Sequence, residues 1–216
     1  MPLASRFKTN EPDRSGAPRP AGHLPTQLAN DAIVRALLER RSIGGAALYD
    51  RYHRHVRRVL ARIMGPEDVR DSMQDVFLEA VRSIASLQDP DALPGWLTTI
   101  AVRTATTHIK RRARLRWFPL FPTDELPEVA ASVASPEIDA AARATYRVLG
   151  RLPADERVAF ALRCIDGMEL VDVARACRVS LATIKRRLQR ALKKFGAIAR
   201  SEPDLAEWLQ RGDRWS

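Results

Sequence analysis

The 216-residue chain has little that metal or disulfide chemistry could use: two cysteines and four histidines. Cys164 and Cys177 have no second cysteine near either, which excludes a disulfide framework and a zinc knuckle, and both read as small core residues. The one close histidine pair, His53 and His55, has an i, i+2 spacing that points the rings to different sides of a helix. No apolar run approaches the ~18 residues that a membrane span needs. No basic helix carries a large aromatic face either, so direct membrane insertion is not expected. Met1-Pro2-Leu3-Ala4-Ser5-Arg6 lacks the apolar core of a signal peptide, and a cytoplasmic location is the expectation. Also missing are a glycine-rich phosphate loop, carboxylates clustered for two metals, and a recognisable Ser, Cys or His triad. The expectation is a protein without catalytic residues, metal or cofactor. No segment alternates with period two or concentrates β-branched residues, which leaves an all-α fold.

What the chain has is positive charge. Thirty-six Lys and Arg outweigh twenty-six Asp and Glu, for a formal net charge of +10, the footprint of a nucleic-acid partner. The length favours two small domains over one. Residues 1–30 carry Pro2, Pro12, Pro18, Pro20 and Pro25, few apolar residues and no period, and read as a disordered arm. Residues 117–140 hold Pro119, Pro122, Pro127 and Pro136 among five acids and read as a flexible acidic linker. The linker separates a first domain, 31–116, from a second, 141–197, with a tail at 198–216.

Helical periodicity dominates both domains. In the first, Ile33, Leu37 and Leu38 share a stripe, and a second stripe follows a break at Gly44-Gly45: Leu48, Tyr52, Val56, Val59, Leu60 and Ile63. Gly65-Pro66 ends it. A helix over 66–87 places Val69, Met73, Val76, Phe77, Ala80 and Ile84 inward, leaving Asp71, Gln74, Asp75, Leu78 and Arg82 on the opposite face. The next helix starts near Trp96, with Leu97, Ile100, Ala101, Ala105 and Ile109 inward. Its other side becomes basic: residues 92–123 contain no acid and six cations, Arg103, Lys110, Arg111, Arg112, Arg114 and Arg116. Trp96, Trp117 and Phe118 flank these cations, and rings beside cations suit DNA whose bases are leaving the stack. Taken singly, Trp96 is more often a core residue.

The second domain opens with a helix over 136–151. Leu152-Pro153 starts another, stopped by Asp166-Gly167, with Val158, Ala161, Leu162 and Ile165 buried. Leu170, Val173, Ala174 and Cys177 mark a short helix. After a break at Arg178-Val179-Ser180 comes a long one with Leu181, Ile184, Leu188, Ala191, Leu192 and Phe195 inward. Two helices joined by so short a turn outline a helix-turn-helix. Ser180 is placed to cap the long helix, and Lys185, Arg186, Arg187, Gln189, Arg190, Lys193 and Lys194 fill its outer circumference. This is the layout of a recognition helix, in which early residues reach base edges and later cations meet phosphates. Lys185 and Arg187 are expected to read bases from the solvent side, and Arg190 to bind phosphate.

These residues resemble the extracytoplasmic-function group of the sigma-70 family. Asp71-Ser72-Met73-Gln74-Asp75-Val76-Phe77-Leu78 resembles the segment with which those factors dock on RNA polymerase. The resemblance implies polymerase binding through Asp71, Gln74, Asp75 and Leu78. Trp96 through Arg103, followed by Lys110-Arg111-Arg112, is similar to the helix that melts and reads the minus-10 element, implying roles for Trp96, Thr99, Arg103, Thr107, Lys110 and Arg111. Leu152-Pro153-Ala154-Asp155-Glu156-Arg157 and the segment from Val173 to Ala191 resemble the minus-35 domain, implying DNA contacts by Thr183, Lys185, Arg186, Arg187 and Arg190. The chain departs from the common pattern at Thr104 and His108, often Asn and Asp, at Arg178 and Ala182, usually Gly, and at Arg186, usually Ser. The implied partners are core RNA polymerase, promoter DNA and an anti-sigma factor. A helix-turn-helix alone also suits an operator-binding regulator, but such a protein has no use for the face built on Asp71, Gln74 and Leu78.

Overall fold

A computed structural model of the chain describes residues 29–66, 69–115 and 136–205. Residues 1–28 of the expected N-terminal arm and most of the expected linker, with Trp117 and Phe118, lie outside the described residues. Asn30, expected in the arm, instead begins the first helix and accepts from the Tyr52 hydroxyl at 2.6 Å. Every regular element described is helical, as the missing period-two pattern implied. Four α-helices precede the gap: α1 (Asn30–Leu38), α2 (Ser42–Met64), α3 (Val69–Ser83) and α4 (Leu93–Leu115). Four follow it: α5 (Pro136–Gly150), α6 (Ala154–Phe160), α7 (Leu170–Cys177) and α8 (Leu181–Ala199). A π-turn over Ala161–Ile165 continues α6, and two 3-10 turns, Ile84–Ser86 and Pro90–Ala92, link α3 to α4.

In the first half, Leu48, Val56, Val59, Leu60 and Ile63 of α2 interlock with Val69, Val76 and Ala80 of α3 and Leu97, Ile100, Ala101 and Ala105 of α4, all buried. Three of the expected details change. The break in the first stripe falls at residues 39–41, where Arg40 adopts φ 55°, and not at Gly44-Gly45, which lies inside α2. The glycine serves close approach instead: a Cβ on Gly44 would stand 2.8 Å from the Leu37 nitrogen, so only glycine lets α1 lie directly on α2. Leu38 is 53% exposed, while Val34 and Ala36 take the buried positions of α1. The basic helix begins at Leu93, three residues before Trp96, because Pro94 falls in its first turn, where a missing N–H costs nothing. Gly65, at φ 95°, ends α2 as expected.

In the second half, α6 and the π-turn pack on α8 through Phe160 and Phe195, whose rings stack at 4.5 Å. Leu181 and Leu192 do not join the inward stripe of α8: both are exposed, and Ile184 and Ala191 carry the burial with Leu188 and Phe195 part-covered. Gly167, at φ 78°, closes the stop after the π-turn. The helix α5 already covers residues 136–140, the end of the expected linker. Beyond the expected limit at 197, Leu205 is buried against Ala144, Val148 and Ala199. The two halves are not separate bodies: Val158, Ala161, Leu162, Val173 and Ala176 of the second half belong to the same apolar cluster as the core of the first.

Candidate nucleic-acid and polymerase interfaces

The exposed face of α3 is the simplest surface. Asp71, Gln74, Asp75 and Leu78 all stand in solvent, as a helix with one apolar stripe requires, and Leu78 is joined by exposed Val81. Behind it runs a polar chain. The His108 ring of α4 meets Asp75 Oδ2 through Nε2 at 2.9 Å and Ser72 Oγ through Nδ1 at 3.0 Å. The carboxylate only accepts, so Nε2–H donates, and on the neutral ring the Ser72 hydroxyl donates to Nδ1. The sequence showed no triad, and this trio is one in connectivity only. Ser72 is fully buried, and the exposed end is the acid, so no substrate reaches the hydroxyl. His108 therefore faces α3.

Around α4 the basic residues divide. Thr99 and Thr107 donate their hydroxyls to carbonyls one turn back, Gly95 and Arg103, and Arg103 pairs with Glu79 of α3. Lys110 Nζ lies 3.3 Å from Asp155 of α6. Arg111 is exposed near the C-terminal end of the helix, while Trp96 is half-buried against the core, in keeping with the more frequent reading of a lone tryptophan. Thr99, Arg103, Thr107 and Lys110 line a cavity of about 350 Å³ whose far wall is Asp155, Cys177, Arg178 and Arg187 of the second half. The structure thus brings four of the six expected minus-10 residues to one groove and leaves Trp96 and Arg111 outside it. Val102, buried at this wall, is a residue that periodicity within α4 did not single out, because it faces the other half and not the core of its own.

The helix-turn-helix is built as its residues imply. Ser180 Oγ accepts from the Thr183 amide at 3.2 Å, capping α8, and Arg178 carries the turn in the left-handed region at φ 53°, ψ 45°. An L-residue there is strained where glycine would not be. Lys185, Arg186, Gln189 and Lys193 point to solvent. Thr183 holds Ser180 and sits 3.5 Å from Arg186, so its hydroxyl is engaged within the turn. Arg187 does not take the solvent side expected of it: its side chain is 21% exposed and reaches Asp155 Oδ2 at 3.3 Å. Arg190 and Lys194 embrace the buried Glu156 carboxylate at 3.1 and 2.8 Å. Cations that read as one continuous basic face are in fact split between an outer row and an inner row counter-charged by α6.

The remaining titratable groups are structural. His55 donates from Nε2 to Thr98 Oγ1 at 2.8 Å, since the Thr98 hydroxyl is itself spent on the Pro94 carbonyl. Burial, then the nearby Arg58 guanidinium, hold its pKa below the ordinary value, so the ring is neutral at pH 7. Burial likewise pushes the Cys177 thiol up to about 11 and raises that of Cys164, the behaviour of packed thiols and not of nucleophiles. Among the described residues no cluster of His, Cys, Asp and Glu could hold a metal ion, and no helix is long and apolar enough to cross a membrane.

Comparison with known proteins matches both halves. Residues 48–115 fit the model of Sigma-70 region 2, and residues 142–195 that of Sigma-70, region 4. The ECF RNA polymerase sigma factor SigM of Mycobacterium tuberculosis (strain ATCC 25618 / H37Rv) is 34% identical over 153 residues, covering 70% of this chain and 74% of the relative. SigM of a second strain, ATCC 35801, is 30% identical over 190 residues, covering 84% and 93%. The ECF RNA polymerase sigma-E factor of Haemophilus influenzae is 28% identical over 183 residues, covering 78% and 94%. Among solved structures, CnrH in complex with the cytosolic domain of CnrY shares the fold, with a TM-score of 0.53 at 21% identity over 81% of this chain and 99% of that one.

Proposed function

The chain belongs to the extracytoplasmic-function group of sigma-70-family RNA polymerase sigma factors, which direct the polymerase in transcription initiation, and we propose how its surfaces divide that work. The face of α3 built on Asp71, Gln74, Asp75 and Leu78 docks on core polymerase. The observation that carries this reading is a leucine exposed among acids and an amide on a helix whose other face is fully used by the core. The polar side of α4, with Trp96, Thr99, Arg103, Thr107, Lys110 and Arg111, meets the minus-10 element. The outer row of α8, led by Lys185 and Arg186 beside the Thr183 cap, reads the minus-35 element in the major groove, where Lys and Arg match guanine O6 and N7. Arg187 and Arg190, held from behind by Asp155 and Glu156, suit phosphate contacts better than base reading. The regions 31–116 and 141–205 then act as the two promoter-reading domains, the protein works in the cytoplasm without catalysis of its own, and an anti-sigma factor is its regulator.

The test joins binding to transcription. Asp71→Ala with Leu78→Ala should lower co-purification with core polymerase by about tenfold or more, the loss expected of removing interface anchors. Run-off transcripts should fall in step, with helical content unchanged. Wild-type yield of the complex from the double variant would overturn the docking assignment.

A further inference from the structure

We propose that His108 is a positioning residue for polymerase docking: from α4 it fixes the Asp75 carboxylate on the face that α3 offers to core polymerase, with Ser72 as its buried anchor. The proposal rests on the docking reading above and adds to it the group that aims one of the docking acids.

The three side chains span two helices and a gradient of burial. Ser72 is fully buried on α3, Asp75 lies one turn further along the same helix in solvent, and the part-covered ring of His108 stands between them. On a neutral ring, the nitrogen that accepts from a hydroxyl leaves the other to carry the proton. Nδ1, accepting from Ser72 Oγ at 3.0 Å, therefore presents Nε2–H to Asp75 Oδ2 at 2.9 Å. The Met64 thioether, 3.6 Å from the same hydroxyl, is a weak acceptor and does not take its proton from the ring. Turning the imidazole breaks both bonds at once, so the buried serine fixes where the exposed carboxylate stands. A second link between the two helices runs in the same sense: Arg103 of α4 pairs with Glu79, one turn beyond Asp75. The minus-10 helix thus holds the acidic edge of the docking helix at two places. Oδ2 of Asp75 is spent on the ring, and Oδ1, without a partner among the described residues, is left for a donor on the polymerase. A free carboxylate gives up its rotamers when it docks. One held beforehand does not, and the difference is worth roughly a few-fold in affinity for one side chain.

Two substitutions that each keep half of the ring's bonding supply the test. Glutamine places its amide nitrogen near the position of Nε2, and asparagine places its amide near that of Nδ1. His108→Gln therefore keeps the bond to Asp75 and drops Ser72, and His108→Asn does the reverse. Affinity for core polymerase, measured with the full chain, should stay within about twofold of wild type in His108→Gln and fall about three- to tenfold in His108→Asn. In an Asp75→Ala background the two should bind alike, because the side chain that distinguishes them is gone. A role confined to packing on Ser72 gives the opposite order. That order, or equal affinities with Asp75 in place, would overturn the proposal. Asp75→Ala by itself tests the docking reading: binding as tight as wild type removes Asp75 from the docking face and takes its positioning with it. Weak binding by Asp75→Ala while both 108 variants match wild type leaves docking standing and positioning refuted. Should a 108 variant not fold, the imidazole nitrogen resonances of wild type and Asp75→Ala decide. One of the four histidine rings should shift with loss of its carboxylate partner, and four unmoved rings overturn the proposal.

Discussion

The helices α4 and α8, of 23 and 19 residues, carry cations and no acid, and they hold their charge in opposite ways. On α8 the counter-ions come from the same half: Asp155 and Glu156 of α6 bind Arg187, Arg190 and Lys194 and leave Lys185, Arg186 and Lys193 in solvent. On α4 the pairing is divided, with Arg103 neutralised from its own half by Glu79 and Lys110 from across the molecule by Asp155. Pairing within a half survives any movement of the halves. Pairing between them does not. Net charge per helix is therefore a poor guide to free charge, and the origin of each counter-ion tells which cations a conformational change can release.

The largest effect that would sharpen this contrast is on stability. Leu97 on the inner stripe of α4 is fully buried and Leu192 on α8 is exposed, so Leu97→Ala should cost about 2–5 kcal/mol in denaturant unfolding. Leu192→Ala should stay within about 0.5 kcal/mol. Equal losses would mean that the two helices are not seated as described. Next comes DNA reading on α8. Lys185→Ala should weaken binding to the cognate upstream element by about 1–3 kcal/mol and reorder promoter variants, whereas Arg190→Ala should lower every affinity together. An unchanged ranking in Lys185→Ala would erase the distinction between outer and inner rows. The smallest effect concerns the turn that aims α8. Because Arg178 sits at φ 53°, Arg178→Gly should raise stability by roughly 0.5–1 kcal/mol, seen as a thermal midpoint higher by a few degrees. A lower midpoint would show that the arginine side chain contributes more than its backbone costs.

Much of this is legible in the sequence alone. The apolar stripes of α2 and α3, the stops at Gly65 and Gly167, the Ser180 cap and the acid-amide-leucine face of α3 follow from periodicity and local backbone chemistry, which act within a few residues. What escaped has a common cause: periodicity names a face without naming what covers it. Leu38, Leu181 and Leu192 fit their stripes by spacing yet remain 53%, 37% and 49% exposed. Val102 fell outside the inward stripe because the surface that buries it belongs to the other half. Gly44-Gly45 read as a break, since glycine is both a helix breaker and a contact residue, and only the nearness of Leu37 decides between the two. Arg187 lies on the outer arc of a helical wheel, but Asp155, 32 positions earlier, draws it inward. The sequence resemblance compensated where physics was silent, since it joined three weak local signals into one order along the chain.

The end of the described chain bears on what counts as the unit of folding. Glu202, nearly buried, receives Arg147 at 3.4 Å and Arg151 at 3.0 Å, and three residues later Leu205 closes over Ala144 and Val148. With Ala199 of α8, this leucine covers the Ala144 and Val148 side of α5. Burying a leucine contributes about 1.5–3 kcal/mol, a sizeable share of what a small helical domain has in total. Residues 200–205 are thus part of the second half and not an appendage to it. A fragment meant to carry the helix-turn-helix by itself has to reach at least Leu205, eight residues past the limit that helical periodicity suggested.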